Sequence, residues 1–111
     1  MSRDAGLERL ADCRKRIDEV DLRILTLLNE RTAIVEQIGR VKQDLDLPIY
    51  EPKREDDVYR NVLSHNHGPL PAAAVQRVFE RIIDEMRQVQ RVRMLERNRN
   101  DSNNAETDHL S

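Results

Sequence analysis

The stretch LERLADCRKRIDEVDLRILTLLNERTAIVEQIGRVKQDL, residues 7–45, decides the fold. Its apolar residues recur at alternating steps of three and four. Leu10, Ile17, Ile24, Ile38 and Leu45 form one line, and Leu28 and Val35 lie on the line beside it. That period is helical and not the strict alternation of a strand. No proline interrupts the pattern, Gly39 is its internal weak point, and DLDLP, ending at Pro48, supplies the stop. The spacing therefore predicts one helix of about 37 residues, a rod of ~55 Å. A globule of ~100 residues has a radius of gyration near ~13 Å, so such a rod overhangs its own domain. The overhanging stripe would leave Leu and Ile in water unless a second chain covers it. The expectation is an obligate homodimer with the long helices packed together.

The rest of the chain also reads as helix. Pro52 suits a first helical position, where its missing N–H costs nothing, and a second helix is expected from there to about Asn66, with Val58, Tyr59, Val62 and Leu63 inward. HNHGPLP breaks it. A third helix is expected from near Pro71, carrying Val75, Val78, Phe79, Ile82, Ile83, Met86 and Val89 toward the core and fraying after Val92. From Arg97 the sequence reads RNRNDSNNAETDHLS, too polar to offset its ordering entropy by burial. The expected organisation is a helical domain over residues 1–97 and a disordered tail over residues 98–111. The expected fold class is all-α, a three-helix protomer with one very long N-terminal helix, paired with a second copy.

Composition narrows the function. The 111 residues are 38% hydrophobic and 36% charged, with three aromatic residues, no Trp and three Gly, which points away from sandwiches, barrels and base-stacking platforms. The net charge of −2 with both signs interspersed provides no basic field for a phosphate backbone, so nucleic acid is not an expected partner. The lone Cys13 has no intrachain partner and reads as a small residue in a helical pattern, in keeping with a reducing compartment. Neither an apolar signal region nor an apolar run of ~18 residues occurs, and the expected location is cytoplasmic, away from membrane.

Four charged residues occupy core-type positions of the first helix. Arg14, Asp21 and Lys42 continue the line of Leu28 and Val35, and Arg31 continues that of Ile24 and Ile38. Seam charges can simply set register or snorkel to the helix ends. For Arg31 that explanation is weaker, because an unpaired guanidinium in mid-helix is costly unless something anionic meets it. Arg31 and Lys42 are three turns apart on nearly one face, ~16 Å along the axis, and two long side chains can converge from there on a small anion. Arg14 lies ~25 Å from Arg31 along the same rod and cannot reach that ligand. In an antiparallel pair, Arg14 of one chain can approach the Arg31 and Lys42 region of the other, which suggests two equivalent sites shared between chains.

The junction PIYEPKRE (residues 48–55) adds Glu51, Arg54 and Glu55 close to Lys42. Carboxylates there also favour a helix N-terminus electrostatically, and capping alone would account for Glu51 or Glu55. Gln90 falls on the core stripe of the third helix. A buried amide needs partners, so it is either a structural hydrogen-bonding residue or a ligand contact.

Taken together, LADCRKRIDEVDLRILTLLNERTAIVEQIGRVK, PIYEPKRE and GPLPAAAVQRVFERIIDEMRQVQ resemble the all-helical class of chorismate mutase over roughly residues 7–90. That resemblance implies an intertwined three-helix dimer converting chorismate to prephenate, on the way to Phe and Tyr, without metal or cofactor. It implies that Arg14 reaches from the partner chain and that Arg31 is the second arginine binding a carboxylate. Lys42 then contacts a carboxylate and the ether oxygen, Gln90 the ether oxygen, and Glu51, Arg54 and Glu55 line the junction. Met86 stands where some members place Ser.

The implied reaction suits the residues. A unimolecular pericyclic shift of a dianion needs no nucleophile or general base. It needs the compact conformer held and the charge growing on the ether oxygen stabilised. The arginines suit the first task, Lys42 and Gln90 the second, and Glu55 or Glu51 can hold the ring hydroxyl. His65, His67 and His109 lack metal-ligand spacing. An isochorismate-pyruvate lyase on the same fold is the near rival, and a silent helical dimerisation or regulatory module the more distant one. An activating partner enzyme is left open.

Overall fold

The structure is a computed structural model describing residues 2–110, with side chains described through residue 104. Three helices follow one another: α1 (Arg3–Asp44), α2 (Pro52–Ser64) and α3 (Ala72–Leu110). No strand occurs among the described residues. The expected helix class and order are therefore present.

α1 starts four residues earlier than its apolar pattern, because Ser2 caps it. The Ser2 hydroxyl accepts the Ala5 N–H at 3.2 Å, satisfying one of the orphan donors of the first turn. At the other end, the stop comes before Pro48. The Leu47 N–H reaches back to the Lys42 carbonyl at 2.7 Å and the Asp46 N–H to the Gln43 carbonyl at 3.2 Å. Asp46 takes a left-handed φ of 55° between them. This is a Schellman closure with aspartate in the position glycine usually fills. Pro52 then opens α2 at its first turn, and the Pro71 carbonyl accepts from Ala74 and Val75 at the start of α3.

The chain divides into two compact units, Met1–Ala33 and Ile34–Ser111. In the first, nearly every described side chain of α1 is exposed, including Leu7, Leu10, Ile17 and Ile24. The second unit holds the core: Val35 of α1 and Val75, Ile83 and Met86 of α3 are buried. Val58, Tyr59, Val62 and Leu63 of α2 are half-buried, as are Phe79, Ile82 and Val89 of α3. Val78, expected to face inward, is 50% exposed.

The backbone of α3 is helical past Val92, to Leu110. Polar ties to α1 account for the first part of the extension. Arg93 pairs with Glu36 at 3.4 Å, Arg97 Nε donates to Gln43 Oε1 at 2.5 Å, and Gln43 Nε2 donates to Asn98 Oδ1 at 2.7 Å. Beyond them, a helix already nucleated gains one hydrogen bond for each residue it adds. Apolar periodicity carries no trace of such ties.

Candidate active site

Among the described residues, Lys42 is one of two buried polar residues in the core of the second unit, with Gln90. It lies on the last turn of α1, buried at 9% exposure. An ammonium group in that position is costly unless neutralised and hydrogen-bonded. Its Nζ donates to the Ile49 carbonyl at 2.9 Å and pairs with Glu51 Oε1 at 2.6 Å. The Schellman turn makes both contacts possible, because it reverses the chain just after Asp44 and carries residues 49–51 back over the helix end. Among the described residues two of the three ammonium donors are thereby engaged, and the third is open to an incoming acceptor.

Glu51 occupies the position before α2, yet its side chain makes no capping bond. It is turned to Lys42 instead, at 45% side-chain exposure. Capping therefore does not explain this residue. Glu55, in the first turn of α2, faces α3. Its Oε2 lies 3.3 Å from Arg87 Nε, with only 16% of its side chain exposed. Arg54 is exposed on the same turn.

On α3, Met86 and Gln90 are both buried, one turn apart on the face toward the core. Gln90 packs against Gly39: a methyl group at Gly39 would stand 3.5 Å from Gln90 Cγ. That spacing is ordinary van der Waals contact, so Gly39, one turn before Lys42, marks where α1 lies against the Gln90 side chain without glycine being required there. Gln90 Oε1 is buried with no hydrogen-bond partner among the described residues. Such an orphan atom is uncommon in an interior. Half a turn of the amide exchanges that acceptor for an NH2 donor at the same place.

Arg87 was missed by the sequence reading, which followed only the apolar line of α3. Its guanidinium sits 5.3 Å from the Tyr50 ring centroid and its Nη2 is 2.5 Å from Asp84 Oδ1. Nearby, partial burial first, and then the carboxylates of Glu55, Glu80 and Asp84, push the Tyr59 phenol above its ordinary pKa, while Arg87 opposes them. The apolar spacing of α3 carried no signal for it, since Arg87 meets Glu55 only through the packing of α2 on α3.

Six of the eight residues singled out from sequence, Lys42, Glu51, Arg54, Glu55, Met86 and Gln90, belong to the second unit. Lys42, Met86 and Gln90 are buried and Glu55 is half-buried, whereas Glu51 and Arg54 are exposed. Arg14 and Arg31 belong to the first unit, Arg14 exposed and Arg31 half-buried. No group of three or more His, Cys, Asp and Glu suited to a metal ion occurs among the described residues.

Residues 13–91 match the family model described as chorismate mutase type II. A bifunctional chorismate mutase/prephenate dehydratase of Aquifex aeolicus is 37% identical over 81 residues, 69% of this chain but 22% of that protein. The chain thus spans about a fifth of the length of such bifunctional relatives. The chorismate mutase of Methanocaldococcus jannaschii is 39% identical over 56 residues, 50% of this chain and 57% of that one. Among solved structures, chorismate mutase (form II) of Thermus thermophilus superposes with a TM-score of 0.73 at 35% identity, covering 75% of this chain and 94% of that one. The Helicobacter pylori chorismate mutase in complex with prephenate gives a TM-score of 0.75 at 26% identity, covering 80% and 97%. With a match that begins inside α1, takes in the whole of α2 and ends within α3, the chain belongs to the chorismate mutase type II family.

Proposed function

We propose that this chain is a chorismate mutase, rearranging chorismate to prephenate as a step toward the aromatic amino acids. The observation that carries the reading is that two polar residues are buried in the same unit: Lys42, a cation one turn after Gly39 on α1, and Gln90, an amide with an unsatisfied polar atom that packs against Gly39 from α3. Two preorganised donors in a water-poor setting suit an ether oxygen that gains negative charge as its bond breaks.

In this mechanism Arg14 of a partner chain and Arg31 grip the two carboxylates and hold the compact, reactive conformer, converting a floppy dianion into a near-attack geometry. Lys42 and the NH2 of Gln90 meet the ether oxygen. Glu51 keeps Lys42 in place, Glu55 takes the ring hydroxyl, Arg54 supplies positive charge at the rim, and Met86 closes the apolar side. No proton needs to move to or from the protein.

A homodimer with shared sites is part of the same proposal. Leu10, Ile17 and Ile24 are exposed along one line of α1, and a second α1 offers matching apolar residues at the same spacing. No helix among the described residues is long and apolar enough to cross a membrane. A cytoplasmic enzyme acting on a soluble dianion is the location that fits.

The test is to incubate purified protein with chorismate and follow its loss and the appearance of prephenate. Isochorismate is run in parallel. Turnover of isochorismate to pyruvate with chorismate untouched would replace the mutase with the lyase. A chain that acts on neither, and is not stabilised by prephenate, would be a silent helical module.

A further inference from the structure

We infer that Arg87 is a positioning residue for Glu55, holding that carboxylate oriented to receive the substrate's hydroxyl. The inference rests on the mutase reading above and extends it to a residue outside the eight already given roles.

Arg87 is an unexpected residue for its place. It lies on α3 between buried Met86 and buried Gln90, with 27% of its side chain exposed. An arginine there brings five N–H donors into a setting that a leucine would fill at no electrostatic cost. The guanidinium is nevertheless well surrounded. Asp84 holds its outer end, Tyr50 lies against its face, and Glu55 approaches its inner nitrogen. Glu55 has only 16% of its side chain exposed, and Arg87 is the cation set against it.

The contact is incomplete in an informative way. Arg87 Nε lies 3.3 Å from Glu55 Oε2, close enough for an ion pair, but its N–H is not aimed well enough to make a hydrogen bond and is left buried without one. Gln90 Oε1, one turn further along α3, is in the same condition. Two buried, unsatisfied polar atoms three residues apart lie on one face of one helix, beside Glu55 and Gly39. This is the pattern of a site whose hydrogen bonds close when a polar ligand arrives. A small rotation brings Arg87 Nε–H onto Oε2 and leaves the other oxygen of Glu55 as the acceptor for a hydroxyl. Asp84 and Tyr50 limit the guanidinium's other motions, so the orientation is passed on to Glu55.

Two plainer roles compete. Arg87 could merely tie α2 to α3, or it could bind a substrate carboxylate itself. A double-mutant cycle separates all three. The proteins are wild type, Arg87→Met, Glu55→Gln and the double variant, with kcat and KM for chorismate and the melting temperature measured for each. If Arg87 works through Glu55, R87M lowers kcat about tenfold with KM changed less than about twofold, because only the orienting contact is lost. In the E55Q background the same change then costs less than about twofold, since there is no carboxylate left to orient. Arg87→Lys keeps the charge but not the fork, and should recover part of the loss.

A loss equal in both backgrounds, tracking the melting temperature, would make Arg87 a structural tie and overturn the inference. A raised KM with unchanged kcat in both backgrounds would make it a substrate ligand and overturn it equally. Should R87M fail to fold, the cycle is run with R87K, which keeps the ion pairs, and the same criteria apply. Wild-type protein that does not consume chorismate would remove the mutase reading and this inference with it. Active wild type with additive losses would remove the inference alone.

Discussion

The two units of this chain solve the same problem in opposite ways. In the unit Ile34–Ser111 one edge of α1 is covered within the chain, with Val35 buried beside Val75, Ile83 and Met86 and Lys42 held by Glu51 and Ile49, while Ile34, Ile38 and Val41 on its other edge stay exposed. In the unit Met1–Ala33 the same helix, with the same apolar period, is left open, and Ile17 is 58% exposed against 7% for Val35. One helix therefore carries two kinds of seam, one covered in cis and one suited to cover in trans. A repeating pattern states that a face must be buried and leaves open by whom.

The sharpest way to break that comparison is to test whether the open unit serves another chain's site. Arg14→Ala and Lys42→Ala should each lower kcat by about 10²-fold or more while the helical signal survives, as each removes charge stabilisation and little core volume. Mixing the two inactive proteins after unfolding and refolding should return about a quarter of wild-type activity. Random reassociation makes about half the dimers mixed, and each mixed dimer has one intact site of two. No recovery, with heterodimers shown to be present, would put Arg14 and Lys42 in one chain's site.

The next effect compares burial in the two units. Ile83→Ala, in the closed core, should cost about 2–4 kcal/mol in stability. Ile17→Ala would cost under about 0.5 kcal/mol if its exposure in the single chain were the whole account. If a second chain covers it, the cost approaches that of Ile83, and the melting temperature rises with protein concentration in wild type and variant alike. Sedimentation at micromolar concentration should show two chains. A folded wild-type monomer there, with a negligible Ile17→Ala effect, would end the division into cis and trans seams.

Smaller effects are expected where α1 ends and where α3 runs on. Asp46→Gly should raise stability by about 1 kcal/mol, because glycine accepts the left-handed φ of 55° without the steric cost that a side chain brings. An unchanged or lowered melting temperature would mean that the Asp46 side chain has a role of its own. Smallest of all should be removal of residues 99–111: less than about 0.5 kcal/mol and unchanged kcat, though the helical signal falls. Ending the chain before Arg97 should cost more, because it also removes the ties to Gln43. A large loss from the shorter deletion would make the extension of α3 part of the working domain.

How much was legible in the sequence differs by element for physical reasons. The helices of α1 and α2 could be read because apolar spacing and proline placement are local signals. Val78 could not be placed correctly, because it shares the spacing of its buried neighbours and only the packing of α3 decides which edge of the stripe meets water. The capping account of Glu51 and the pairing account were equally available from position alone. The turn at Asp46 settled the choice by bringing the chain back over Lys42. Arg87 could not be read at all as Glu55's partner, since the two are joined only by the packing of α2 on α3.

By itself, then, the sequence determined the all-helical class, the length of α1, the breaks around Pro48 and Pro71, and the family, through charges set at core positions of a helix. Each depends on neighbours three or four residues away or on proline's fixed φ, and so is written in order along the chain. Tertiary structure decided which charge meets which, the burial of Lys42, and the orphaned atoms of Gln90 and Arg87. Those depend on distances between residues that α1, α2 and α3 bring together from far apart, and on desolvation, which has no magnitude until the helices pack.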